Sequence, residues 1–171
     1  MREKTADTGE VSICHLRRDG YLSDIDLCVT AARLPQILDI ARKTKEVCMK
    51  YGVPVIINDR VDIALAVGAD GVHLGQTDMP VPIARSLLPP GAVIGKTCNT
   101  PEHVRIAVEE GVQYVGLGPV WDTKTKNVTS PVTGPTGIGE MLQALDGTPV
   151  KAVAIGQYEA HRVTVFTAHW F

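Results

Sequence analysis

From residue 37 onward two textures alternate along the chain: amphipathic stretches with apolar residues spaced at a 3.6-residue period, and short β-branched runs that end in Gly or a polar turn. This alternation constrains the fold more than any other feature, because repeated strand–helix–strand units lay successive strands parallel, joined by right-handed crossovers. The pattern predicts helices at 37–50, 61–67, 83–88, 101–110 and 138–145, and strands at 53–57, 71–74, 92–94, 114–117 and 150–155. The run Val53-Pro54-Val55-Ile56-Ile57 is apolar on both faces, as a strand covered by helices on both sides must be. An internal echo supports the same reading. Gly68-Ala69-Asp70-Gly71-Val72-His73-Leu74-Gly75 aligns with Gly111-Val112-Gln113-Tyr114-Val115-Gly116-Leu117-Gly118 at an offset of 43 residues. Two β/α units between the copies suit a (β/α)8 barrel. An open doubly wound sheet is the competing α/β architecture, and the lack of a G-x-G-x-x-G after the first clear strand weighs against its dinucleotide-binding form.

Composition narrows the functional classes. The 171 residues carry 17 basic against 19 acidic side chains, with 44% hydrophobic residues, so one buried core is expected and a generic nucleic-acid or anionic-membrane surface is not. Phosphate chemistry would have to come from locally placed cations. Apolar runs stay far short of the ~20 residues a bilayer needs, which predicts no spanning segment and no membrane partner. Cys14, Cys28, Cys48 and Cys98 are scattered, without a C-x-x-C pair, and read as reduced thiols of a cytoplasmic protein. His15, His73, His103, His161 and His169 form no ligand cluster, and His73 reads as a strand residue rather than a catalytic base.

In a barrel the chemistry sits where strands end, so the residues after each strand are the informative ones. Ile57 is followed by Asn58 and Asp59, Leu74 by Gly75, Gln76 and Asp78, and Ile94 by Gly95, Lys96 and Thr97. Leu117 leads into a long loop containing Trp121, Asp122, Thr123, Lys124, Thr125 and Lys126, and Ile155 into Gly156. Two carboxylates among amides and hydroxyls, with no thiolate or imidazole beside them, select a hard oxygen-bound cation such as Mg2+, with lysines and hydroxyls left for phosphates. Structural roles compete at each position. Asp59 followed by Asp62 resembles a helix N-cap with a carboxylate in the first turn. Asp78 could be a turn residue before Met79-Pro80, and Lys124 and Lys126 could belong to a solvated loop.

Five ordered motifs together resemble one family, thiamine phosphate synthase, also called thiamine phosphate pyrophosphorylase. They are Arg2-Glu3-Lys4; Ile56-Ile57-Asn58-Asp59-Arg60 with Ala69-Asp70-Gly71-Val72-His73-Leu74-Gly75-Gln76-Thr77-Asp78; Gly95-Lys96-Thr97; Gly118-Pro119 through Thr123-Lys124-Thr125-Lys126; and Ala154-Ile155-Gly156. The wording between them is most similar to the fungal branch, whose members often carry a hydroxyethylthiazole kinase domain downstream. The resemblance implies a (β/α)8 barrel and a transferase that joins a pyrimidine methyl diphosphate to a thiazole phosphate, giving thiamine phosphate and pyrophosphate. It implies that Arg2, Lys4 and Asn58 hold the pyrimidine diphosphate and that Asp59 and Asp78 bind Mg2+. Thr97, where bacterial members usually have Ser, supplies a hydroxyl; Thr123 and Thr125 bind the thiazole phosphate, Lys126 the diphosphate, and Gly156 belongs to the second phosphate site. Arg2, Lys4, Thr97 and Lys126 would be the catalytic set.

The resemblance covers residues 1–10 and 37–156. On it, 1–10 is a remnant of the second barrel strand, 11–36 an insertion, 37–156 the barrel domain and 157–171 a divergent tail. The implied fold is an incomplete barrel lacking its first strand, most of the second and the last, with two open sheet edges that favour aggregation and leave homo-oligomerisation open. Two other functions fit the same residues: a thiazole tautomerase on the same barrel, and an inactive fragment or module that keeps a phosphate pocket.

Overall fold

The computed structural model describes residues 34–121 and 132–155, together with the backbone of two strands at 13–16 and 22–25. The chain divides into two compact units, Met1–Ile94 and Gly95–Phe171.

In the first unit the helices and strands follow from where apolar residues recur. Helix α1 (Leu34–Lys50) buries Ile37, Ala41 and Cys48, while its outer face pairs Lys43 with Asp39 one turn earlier at 2.6 Å. Strand β3 (Val55–Asn58) is buried at all four positions. Helix α2 (Val61–Val67) buries Val61, Ile63 and Ala64 and stops at Gly68, whose φ of 62° is the left-handed conformation that a glycine cap adopts at no steric cost. Strand β4 (Gly71–Leu74) lies parallel to β3 in the register Ile56↔Gly71, Ile57↔Val72 and Asn58↔His73. Helix α3 (Val81–Leu87) follows, and then β5 (Val93–Cys98), whose first two residues close this unit. Asp70 ties the lower ends of these elements together. Its Oδ2 accepts the Val55 N–H at 2.7 Å and the Lys45 ammonium at 2.5 Å, and its main-chain oxygen accepts the Val93 N–H at 2.9 Å. Gly71 permits this approach: a Cβ there would stand 2.0 Å from the Val93 carbonyl oxygen.

Two strands precede α1. β1 (Ile13–Leu16) and β2 (Leu22–Ile25) form an antiparallel hairpin, and β1 runs antiparallel to β3 through Ile13↔Ile57, Cys14↔Ile56 and His15↔Val55. The segment 11–36 shows no sustained periodicity in the sequence, yet β1 within it pairs along the side of β3 expected to lie open. β3 therefore has a neighbour on each side, β1 antiparallel and β4 parallel, where the sequence leaves it as an open edge.

In the second unit β5, β6 (Tyr114–Leu117) and β7 (Lys151–Ala154) pair in parallel, with Thr97↔Gly116 and Leu117↔Ala154 in register. Helix α4 (Pro101–Glu109) starts on Thr100, whose Oγ1 accepts the His103 N–H at 3.2 Å. Helix α5 (Gly134–Gln143) buries Ile138 and Met141. Gly95 is required by its neighbour, since a Cβ on it would stand 2.1 Å from Cζ of the buried Tyr114 ring. β5 runs four residues further than its apolar core predicts, so Gly95, Lys96 and Thr97 belong to the strand and not to the turn after it.

Candidate active site

At the end of β3, Asn58 is only 6% exposed and its Nδ2 has no hydrogen-bond partner among the described residues. Burying an amide N–H without a partner costs on the order of 1–3 kcal/mol, which makes it a group waiting for an acceptor. Asp59 follows with φ of 60°, the one described non-glycine residue on the positive side. Its N–H donates to the His73 carbonyl at 2.8 Å, and the Arg60 N–H donates back to the Asn58 carbonyl at 2.6 Å. Asn58, Asp59 and Arg60 thus make a three-residue γ-turn stapled to the end of β4.

The N-cap alternative for Asp59 does not hold. The residue at the cap of α2 is Arg60, with φ −99° and ψ 88° and no capping side-chain bond, and Asp59 stands outside it. The carboxylate of the first turn, Asp62, is taken by Arg60 through a two-point fork, Nε to Oδ1 at 2.8 Å and Nη2 to Oδ2 at 2.6 Å. That hydrogen bond holds Asp62 below the usual carboxylate range and raises Arg60.

Across the neighbouring strand, the turn after β4 folds Asp78 back so that its Oδ2 accepts the Gly75 N–H at 2.6 Å. A Cβ at Gly75 would press on that oxygen at 2.9 Å, so glycine lets the carboxylate lie against the strand end. The bond from Gly75 to Asp78 spans three residues, as a turn former's does, and it fixes the carboxylate at the end of the strand next to the one that carries Asp59. Among the described residues no three His, Cys, Asp or Glu side chains gather into a metal site. Two carboxylates on adjacent strand ends match an ion that takes one or two protein carboxylates and completes its shell with water and substrate oxygens, as Mg2+ does. His73 lies in β4, as its sequence context indicates.

The second unit places Thr97 half-buried on β5 opposite Gly116. Lys96, grouped in the sequence with the phosphate-facing cations, is 8% exposed and its ammonium meets Glu110 Oε2 at 2.9 Å. Strand alternation sends it to the face opposite Thr97, and the buried ion pair satisfies it there. Beyond it, burial pushes the Cys98 thiol up to about 12, which makes it inert. Asn99 Nδ2 donates to the Gly118 carbonyl, and the Gly118 N–H to the Cys98 carbonyl at 3.1 Å, so the ends of β5 and β6 are laced together. Asn99 follows the end of β5 directly, but the sequence carries no signal for it, because the apolar run there ends at Ile94, five residues earlier. A cleft of about 590 Å³ between α4 and α5, lined by Pro101, Arg105, Glu140, Gln143 and Ala144, contains none of the residues singled out from the sequence. Arg2, Lys4, Thr123, Thr125, Lys126 and Gly156 lie outside the described residues.

Comparison with known proteins gives a consistent picture. The chain is 46% identical over 123 residues to a bifunctional thiamine biosynthesis protein of Symbiobacterium thermophilum, covering 72% of this chain and 26% of that one. It is 47% identical over 103 residues to a probable thiamine biosynthetic bifunctional enzyme of Schizosaccharomyces pombe, covering 60% of this chain and 20% of the other. The chain thus spans about a quarter or less of the length of these curated relatives. A solved thiamine phosphate pyrophosphorylase from Pyrococcus furiosus superposes with a TM-score of 0.52 at 29% identity, over 72% of this chain and 68% of that one. The sequence model of the family described as Thiamine monophosphate synthase matches residues 3–169, and the chain belongs to that family.

Proposed function

We propose that this chain carries thiamine phosphate synthase chemistry: condensation of 4-amino-2-methyl-5-(diphosphooxymethyl)pyrimidine with 4-methyl-5-(2-phosphooxyethyl)thiazole to thiamine phosphate and pyrophosphate. The observation that carries the reading is the buried, unpartnered amide of Asn58 beside the Asp59 turn, with Asp78 fixed on the neighbouring strand end. An amide donor and two carboxylates suit a diphosphate with its cation. Asn58 donates to a diphosphate oxygen, and Asp59 and Asp78 hold Mg2+. When bound, Mg2+ neutralises charge on the departing pyrophosphate. The Thr97 hydroxyl adds a hydrogen bond, and Arg2, Lys4 and Lys126 add positive charge, by the family's pattern. Loss of pyrophosphate breaks the bond between the methylene carbon and the diphosphate oxygen; the thiazole nitrogen then forms the new C–N bond. No proton moves in that step, so no general base is needed, and the residues act by charge and orientation. Thr123, Thr125 and Gly156 would hold the thiazole phosphate.

The same reading takes the parallel β/α repeats as an incomplete (β/α)8 barrel and places the protein in the cytoplasm, where the free thiols Cys48 and Cys98 stay reduced. Calorimetric titration with inorganic pyrophosphate, with and without Mg2+, tests the binding half, and release of thiamine phosphate from the two substrates tests the reaction. Mg2+-dependent binding together with product supports the synthase. Binding without product reduces the chain to a phosphate-binding module, and thiazole isomerisation in place of condensation would make it a tautomerase.

A further inference from the structure

Among the described residues, Asp59 alone combines a side chain with a positive φ, and it does so at 60° inside a γ-turn. For an L-residue the left-handed conformation costs roughly 1–2 kcal/mol, and γ-turns with a positive central φ are the rarer and more strained kind. Such a conformation persists only where the surroundings over-determine it. Here they do. The Asp59 N–H is held by the His73 carbonyl at 2.8 Å, the Arg60 N–H by Asn58 at 2.6 Å, and Asn58 itself is packed at 6% exposure at the end of a fully buried strand. α2 begins immediately afterwards, with Val61 and Ile63 anchored in the core, so the turn cannot relax by moving the helix. Every position of the six other described residues with positive φ is glycine. Aspartate enters this region more readily than most side chains, yet less freely than the glycines that hold the other positions.

We propose that the Asn58–Arg60 turn is a strained positioning element that presets the carboxylate of residue 59 and the amide of residue 58 before any ligand arrives, at the expense of fold stability. This rests on the reading of Asp59 as a cation ligand, but the strain and the ligand role are separable by experiment. At an ordinary position alanine is more stable than glycine; at a left-handed one the order reverses. Thermal unfolding of the full chain is therefore measured for Asp59→Gly and Asp59→Ala. The expected result is that the glycine variant melts above the alanine variant by roughly 3–6 °C. Equal midpoints, or alanine above glycine, overturn the proposal. Should both fail to fold, Asp59→Asn against Asp59→Val repeats the comparison, because asparagine tolerates the left-handed region and a β-branched residue does not. Asparagine above valine supports the strain, and the reverse order removes it.

Mg2+-dependent binding of inorganic pyrophosphate is then compared between the wild-type chain and Asp59→Asn. A loss of tenfold or more is expected, and unchanged binding would sink the cation role while leaving the melting order to decide the strain. If the glycine variant also melts above the wild-type chain and asparagine loses binding, the turn trades stability for a preset site; a glycine variant no more stable than wild type removes the trade.

Discussion

The two echoed segments, 68–75 and 111–118, are built on one backbone plan and put to different uses. Each opens on a glycine in the left-handed region, Gly68 at φ 62° and Gly111 at 73°, ending the preceding helix. In each, the main-chain oxygen of the third residue receives the first N–H of the next strand, Val93 to Asp70 at 2.9 Å and Lys151 to Gln113 at 3.1 Å. The side chains then diverge. Asp70 clamps Val55 and Lys45, whereas the Gln113 amide reaches back to the Gly111 carbonyl at 3.2 Å. The closing glycines diverge too: the Gly75 N–H holds the carboxylate of Asp78, while the Gly118 N–H goes to a strand carbonyl. The repeated positions build the sheet, and the side chains that differ between the copies decide what each strand end holds.

The largest effect should come from breaking the plan at the fourth position, where the first copy has Gly71 and the second Tyr114. Gly71→Ala puts a Cβ 2.0 Å from the Val93 carbonyl oxygen, backbone that cannot swing aside, and the loss should exceed about 4 kcal/mol, leaving the chain unable to fold. Gly68→Ala in the same segment meets nothing within 4 Å and should cost only about 1–2 kcal/mol for its positive φ. Urea denaturation of the two variants separates close approach from backbone conformation. Next in size is the carboxylate that the closing glycine of the first copy holds and that of the second does not. Asp78→Asn keeps an oxygen for the Gly75 N–H but removes the charge, so the fold should survive while Mg2+-dependent pyrophosphate binding falls at least ~10–100-fold. Binding unchanged at limiting Mg2+ would remove Asp78 from the cation site.

A smaller effect is expected at the third position. Asp70→Ala strips the Val55 N–H and Lys45 of their partner and should cost about 1–3 kcal/mol. Gln113→Ala, at the matching place, should stay within about 0.5 kcal/mol. Similar losses at both, measured by chemical denaturation, would mean that the third position acts through its backbone alone.

What could be read in the sequence follows the same division. α2, β4 and β6 fall at the bounds that periodicity and turn residues predict, because Gly68, Gly111 and the β-branched runs are local signals. Helix α5 starts four residues before its first periodic residue, since Gly134, Pro135, Gly137 and Gly139 hide a helix from propensity. β5 was cut short at Gly95 because the reason for that glycine, the Tyr114 ring, lies on another strand. The β1–β2 hairpin was invisible because its partner strand, β3, is some forty residues away and no alternation marks it. Asn58, Asp59 and Asp78 are singled out in the sequence by their place after apolar runs, but the positive φ at 59, the fold-back of Asp78 and the buried ion pair of Lys96 are not written there.

The helices that lead into the two copies offer the last and smallest test. α4 is capped by a neutral group, Thr100 Oγ1, and Thr100→Ala should cost about 1 kcal/mol at any pH because a hydroxyl does not titrate in the accessible range. The start of α2 depends instead on the Arg60–Asp62 fork, which is charged. The Arg60 hydrogen bond holds folded Asp62 below the ordinary carboxylate value of 3.8, so the unfolded chain takes up the proton first as acid is added. The stability it contributes is complete above that value and is lost as pH falls through the lowered folded pKa. Its side chain is 60% exposed and the arginine 42%, so solvent screens the pair and only a few tenths of a kcal/mol are expected at low salt. Denaturation midpoints of the wild-type chain and Asp62→Asn, taken from pH 5 down to pH 2.5, should converge toward the acid end and separate slightly above it. Thr100→Ala should run parallel to wild type throughout. If Asp62→Asn runs parallel as well, the fork contributes nothing to folding, and the start of α2 is held by Val61 and Ile63 in the core and by the Asp59 turn before them.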